Sequence, residues 1–223
     1  TVNNPPSQVG WDPTGFPAGC GTVSDYVDMY RHVRDLADSM HVTRKTKTGV
    51  PNGGNCDFVY CPLTNMYIQP QPGAGVPEFD PDNTAGGTRT AAPAGTSYYE
   101  VLGVDWYAHW DYNKLTLNHT NDAGLIGGAV HDYAVLKGKD WIVPECGIGS
   151  DTSVSASEDA KAAYLVSMRN LLKSYGSVSP GVCRALFYTP EANAAPSNYS
   201  FDSSPQVEAA ATGRPAEPVA LDA

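Results

Sequence analysis

The chain has 223 residues, 41% of them hydrophobic and 17% charged, which is enough apolar material for one core in a domain of barrel or large-sheet size. Its 14 Lys and Arg oppose 24 Asp and Glu, and the resulting charge of -10 would repel phosphate backbones, excluding nucleic-acid binding through a broad basic face. Apolar runs such as Leu125 to Val130 are far too short to span a bilayer, which excludes a membrane-inserted helix.

In chain order, residues 1–23 are Pro-punctuated and aperiodic, predicting an irregular N-terminal segment. A start at Thr1 without a basic, apolar and small leader pattern predicts a processed product or a fragment. Ser24 to Met40 reads as a helix. Ser24 serves as N-cap, Asp25 and Asp28 favour the first turn, and Val27, Tyr30, Val33, Ala37 and Met40 recur at helical spacing. Phe58 to Cys61, stopped by Pro62, reads as a buried strand. Met66 to Ser97 is rich in Gly, Pro and Thr and predicts a long loop.

Tyr98 to Tyr107 predicts a second strand centred on Val101-Leu102-Gly103-Val104, and Ala129 to Leu136 a short helix ending near Gly138. Gly124 to Gly128 reads as the loop that starts this helix. Trp141 to Glu145 gives a third strand. A helix capped by Ser157 follows, with Ala160, Ala163, Tyr164, Met168, Leu171, Leu172 and Tyr175 facing inward before Gly176. Val182 to Tyr188 gives a fourth strand. Strands spaced by roughly 40 residues, with helices between them and continuous apolar centres, predict a parallel α/β sheet. The expected organisation is an N-terminal segment 1–23, an α/β domain 24–196, and a Pro/Ala-rich tail 197–223 that is disordered or lies as an extended arm.

Cys20, Cys56, Cys61, Cys146 and Cys183 form no CxxC pair and are odd in number. Most read as small buried apolar residues, and a Cys56–Cys61 bridge would need a sharp bend.

Parallel α/β proteins gather their chemistry at the carboxyl ends of the strands. The second strand there offers Asp105, Trp106 and Tyr107, followed by His109, Trp110 and Tyr112. The third ends in Glu145, a carboxylate crowning an otherwise dry element, and the fourth in Phe187-Tyr188 with Glu191 beyond. Aromatic faces stack on the C–H faces of sugar rings while a carboxylate acts at the anomeric carbon. The same residues also suit plainer roles: a strand-end ion pair for Glu145, and core filling for at least one ring.

Tyr30-Arg31-His32-Val33, Phe58-Val59-Tyr60-Cys61-Pro62, Val101-Leu102-Gly103-Val104-Asp105-Trp106-Tyr107 and Trp141-Ile142-Val143-Pro144-Glu145-Cys146-Gly147 resemble the second half of a clan-A glycoside hydrolase, most similar to the mannanase-like family 26. The resemblance implies a (β/α)8 TIM-barrel-like fold in which this chain supplies roughly strands five to eight, from Ser24 to Tyr188. It implies Glu145 as the nucleophile of a retaining mechanism and Tyr107 as the residue that orients it. Asp105, Trp106, His109, Trp110, Tyr112 and Tyr188 would then line the substrate cleft. The family places its general acid on the fourth strand, before the helix that begins here at Ser24. No His-Glu-x-Asn-like segment occurs there, and residues 1–23 offer only Asp12 beside Trp11. A half barrel also leaves two strand edges unpaired, so another segment or subunit is expected to complete it.

Two functional classes follow. One is a glycosidase acting on an extracellular or cell-surface β-linked polysaccharide, if the missing acid is supplied elsewhere. The other is a non-catalytic glycan-binding or structural subunit of a larger assembly, such as a phage tail or surface appendage. A purely architectural domain, with Glu145 in an ion pair, is the plainest reading. His32, His41, His109, His119 and His131 show no metal-ligand spacing, and no GxSxG, Walker loop or post-strand GxGxxG occurs, so neither a metal nor a cofactor is expected.

Overall fold

A computed structural model describes residues 23–62, 64–68, 75–82, 92–111, 116–118, 123–151, 153–188 and 205–213. Helix α1 spans Val23–Ser39, and its buried stripe is Val27, Tyr30 and Arg34. Val33 and Met40, expected on the inner face, are 37% and 69% exposed. The stripe instead passes through an arginine whose charge is fully paired. Arg34 donates to Asp38 at 2.9 Å and to both carboxylate oxygens of Glu100, at 2.9 and 2.7 Å. It also bonds the carbonyls of Tyr98 and Lys45. A buried guanidinium is tolerable only with such partners.

Strand β1 is the pair Val59–Tyr60, β2 runs Val101–Asp111, β3 Thr116–Asn118, β4 Asp140–Gly149 and β5 Cys183–Tyr188. The order is β1-β2-β4-β5, all parallel, with β3 pairing antiparallel to the far end of β2. Each parallel strand thus neighbours the next in sequence, the order of a singly wound α/β sheet, and the expected α/β class with a parallel sheet is observed.

Several boundaries differ from the sequence reading. The loop expected over 66–97 contains the end of α2 (Thr64–Ile68) and all of α3 (Val76–Phe79), whose Val76 and Phe79 are buried. Helix α4 spans Ala123–Leu136, beginning before the expected Ala129, so Gly127 and Gly128 are helical. Gly127 has a packing reason: a Cβ there would lie 2.5 Å from Leu171 Cδ2 and 3.5 Å from the Trp106 ring. Helix α5 spans Ser155–Ser174 with Val154 at its N-cap position. Ser157 therefore lies inside the first turn, where its hydroxyl accepts from Asp151 N at 2.8 Å. The tail expected to lack core contacts carries α6 (Pro205–Thr212), which packs on α5 and buries Val207 and Ala210 in the main core.

The core lies between the sheet and helices α4 and α5. Leu102, Val104, Trp106 and Ala108 of β2 are each 0% exposed, as are Trp141, Val143, Cys146 and Ile148 of β4. These residues meet Ile126, Val130 and Ala134 of α4 and Tyr164, Leu165 and Met168 of α5. Strand alternation therefore assigns the complementary positions, including Asp105 and Tyr107, to the opposite face. Cys56, Cys61, Cys146 and Cys183 are all unbridged; Cys61 and Cys146 are buried as expected, whereas Cys56 is exposed.

Candidate active site

Asp105 of β2 and Glu145 of β4 are direct register partners. Both strands are irregular there. The β2–β4 ladder shifts between Gly103 and Asp105, and the β4–β5 ladder shifts between Val143 and Cys146, spanning Pro144, which has no N–H to donate. Such irregularities re-aim side chains beside functional sites. Helix α2 anchors the first of them: Tyr67 Oη donates to Gly103 O at 2.9 Å and Thr64 Oγ1 to Asp105 O at 2.5 Å.

Tyr107 stands two residues beyond Asp105 on the same face and donates its phenol to Glu145 Oε2 at 3.2 Å. Both are partly exposed, and neither ends its strand as the sequence predicts: β2 continues to Asp111 and β4 to Gly149, so the pair lies inside the sheet, in the carboxyl-terminal half of each strand. Asp105 is deeper, 5% exposed, and its Oδ1 accepts from Cys61 Sγ at 3.3 Å, directly after β1. Burial, reinforced by the nearby Glu145 charge and only partly offset by the thiol bond, pushes the Asp105 carboxyl up to about 6. Burial and the Asp105 carboxylate in turn raise the Cys61 thiol far above the usual range, so it acts here as a donor and not as a nucleophile. Gly103 makes this crossing possible: a Cβ there would lie 2.9 Å from Cys61 Cβ, Cys61 Sγ and Val59 Cγ1.

The expected cleft residues divide. Glu145, Tyr107 and Asp105 come together. Trp106 does not join them, which corrects its assignment as a substrate-binding ring. It is fully buried on the helix side, and its indole N–H donates to Tyr164 Oη at 2.8 Å. Tyr188 is likewise turned to the helix side. Its hydroxyl accepts from Ile148 N at 3.2 Å, and its ring lines a cavity of about 520 Å³ between α5 and β5 with Leu165, Met168, Leu172, Cys183 and Leu186. His109 and Trp110 belong to β2, whose last three residues pair with β3, and Tyr112, Glu191 and Asp12 lie outside the described residues.

Sequence reasoning missed Cys61 and placed Phe187 at a strand end without giving it a role in the cleft. Alternation puts Phe187, 59% exposed, on the face opposite Leu186 and Tyr188, making it the described β5 ring on the Glu145 side. The signal was available in principle, since an apolar residue at a polar-parity position of an edge strand is unusual. Among the described residues no three His, Cys, Asp or Glu side chains converge as metal ligands, and no helix is long and apolar enough to cross a membrane. Comparison with protein-family models and with curated protein sequences found no match.

Proposed function

We propose that this chain is the second half of a (β/α)8 barrel of the clan-A, family-26-like kind, acting on an extracellular or cell-surface β-linked polysaccharide by a retaining mechanism. The observation that carries the reading is the hydrogen bond from Tyr107 to Glu145 between neighbouring parallel strands, in the carboxyl-terminal half of each. In this reading Glu145 attacks the anomeric carbon, and the phenol fixes the carboxylate rotamer so that one oxygen faces the sugar.

The singly wound order β1-β2-β4-β5 supports the barrel, because strands that add one after another in the same direction close on themselves when eight are present. A second polypeptide segment or subunit would pair with the outer edges of β1 and β5 and wall the face that carries Asp105, Tyr107 and Glu145. Phe187, on that face, supplies the ring for sugar stacking that Trp106 does not.

The test is release of reducing ends from β-mannan, β-glucan and β-xylan by the native assembly that carries this chain. Glu145→Gln is expected to abolish release while thermal unfolding stays unchanged. Unchanged turnover in Glu145→Gln refutes the catalytic assignment. Glycan-array binding without any released ends would instead identify a binding subunit of a larger surface or virion assembly.

A further inference from the structure

Independently of the glycosidase reading, we propose that the cavity between α5 and β5 binds a medium-chain fatty acid, its hydrocarbon inside and its carboxylate at Arg169 and Lys173. The cavity lies on the helix side of the sheet, whereas Asp105, Tyr107 and Glu145 occupy the opposite face. It is therefore a second site and not an extension of the first.

One stripe of α5 builds the first wall. Leu165, Met168, Arg169, Leu172 and Lys173 follow at helical spacing and share a face. Leu165 and Met168 are buried, Arg169 is half-buried and Lys173 is exposed, so the stripe grades from an apolar floor to a cationic mouth. Cys183, Leu186 and Tyr188 of β5 form the facing wall, and Thr212 at the end of α6, exposed like Lys173, completes the lining. The polar atoms of the β5 wall are already engaged. Tyr188 Oη bonds the backbone of Ile148, and Cys183 Sγ donates to Ala185 O at 3.6 Å. What remains for a ligand is hydrocarbon surface, which suits an alkyl chain and would leave the hydroxyls of a sugar unpaired. The cavity volume of about 520 Å³ falls within the roughly 300–1,000 Å³ of small-molecule sites.

The two cations call for an anion. Arg169 Nη1 donates to Ala210 O at 3.0 Å and so tethers the end of α6. Gly213, at a φ of 72°, permits this approach, since a Cβ there would lie 2.7 Å from Nη1. The Nε–Nη2 edge of the guanidinium makes no hydrogen bond among the described residues, and Nε is buried. A buried charged N–H without an acceptor is costly. A carboxylate would accept from both nitrogens of that edge in the parallel, bidentate geometry a guanidinium favours. Lys173, one turn further on, has no acidic partner among the described residues. Its place in the last turn of α5 suits the helix dipole, but Arg169 four residues before it repels it. In a chain with 24 acidic residues against 14 basic ones, two neighbouring cations without an acidic partner mark where a bound anion belongs.

The test is isothermal titration calorimetry of the native assembly that carries this chain with sodium decanoate, decanol and decyltrimethylammonium, each below its micelle threshold. Decanoate is expected to saturate at one site per chain and to bind about 10- to 100-fold more tightly than decanol, the worth of a charge-assisted hydrogen bond. The cationic amphiphile is expected not to bind. Lys173→Glu, at an exposed position, should weaken decanoate binding about 3- to 10-fold and leave decanol unchanged. Pulsed alkylation of the unmutated protein reads the location: decanoate should slow modification of Cys183 and leave that of exposed Cys56 unaltered. Equal affinities for decanoate and decanol, indifference to Lys173→Glu, or binding that leaves Cys183 as reactive as before overturns the proposal. Absence of binding, the result if another segment of the assembly fills the cavity, overturns it too. None of these readouts involves glycan turnover, so the two readings stand or fall separately.

Discussion

The Asp105 carboxyl makes a stability prediction that is independent of any substrate. Its proton is lost at about pH 6 in the folded protein against an ordinary value of 3.8. Below about pH 4 the group is protonated in both folded and unfolded chains and has no effect on their balance. Between 4 and 6 the unfolded chain releases the proton and the native state retains it, so stability falls as pH rises. Above 6 both are ionised and the slope disappears. The full shift corresponds to about 3 kcal/mol, and residual solvent screening at this 5% exposed residue reduces the net cost to roughly 2 kcal/mol.

Asp105→Asn removes that charge and keeps an oxygen for the Cys61 thiol. It should therefore match wild type near pH 4 and become more stable by roughly 2 kcal/mol at pH 7, or about 4–8 °C in Tm for a chain of this size. Thermal unfolding by circular dichroism from pH 4 to 8 measures the difference, in which every other titrating group cancels. A difference that does not vary with pH, or an Asn variant less stable at pH 7, would refute the reasoning. Stabilisation at a cost in function is the usual mark of a carboxylate kept buried for chemistry.

Arg34→Met should destabilise by about 3–5 kcal/mol in urea denaturation, because it strands Glu100 and Asp38, and adding Glu100→Gln should recover part of the loss. Gly103→Ala forces a methyl against Cys61 and Val59, and should lower stability by about 1–3 kcal/mol on the same assay. Alkylation of the native protein followed by mass spectrometry should modify exposed Cys56 first among the four described thiols. Buried Cys146, pushed up to about 12, should react only after unfolding.

Periodicity made α1, α5 and the four parallel strands legible, since each carries apolar residues at helical or strand spacing that pack on the common core. The parts that were not legible have specific physical causes. Gly127 and Gly128 lower helix propensity, but tertiary packing against Leu171 and Trp106 overrides that preference in α4. Arg34 occupies a core position that no hydrophobic template would assign to a cation; only its partners, distant in sequence, make it tolerable. The site itself was half legible. Expected strand ends pick out Asp105, Tyr107 and Glu145, and the structure brings the three together although β2 and β4 both run four residues further. Counting rings after the strand, by contrast, ignored parity. Asp105 and Tyr107 share a face, so Trp106 between them had to point the other way. Cys61 was invisible because its relation to Asp105 is made across strands, through a glycine that leaves room for it.

Glu100 has a consequence for how the sheet edge is built. Its Oε2 accepts from Phe58 N at 2.7 Å as well as from Arg34, just before β1 and β2 begin a ladder only two residues long. One carboxylate thus splints a helix, an edge strand and its inner neighbour at a single point, where so short a ladder contributes little grip of its own. Loosening α1 would unzip Val59 and Tyr60 while β2 and β4 stayed paired, so the rim beneath Cys61 shares its fate with the helix that precedes it and not with the strand beside it.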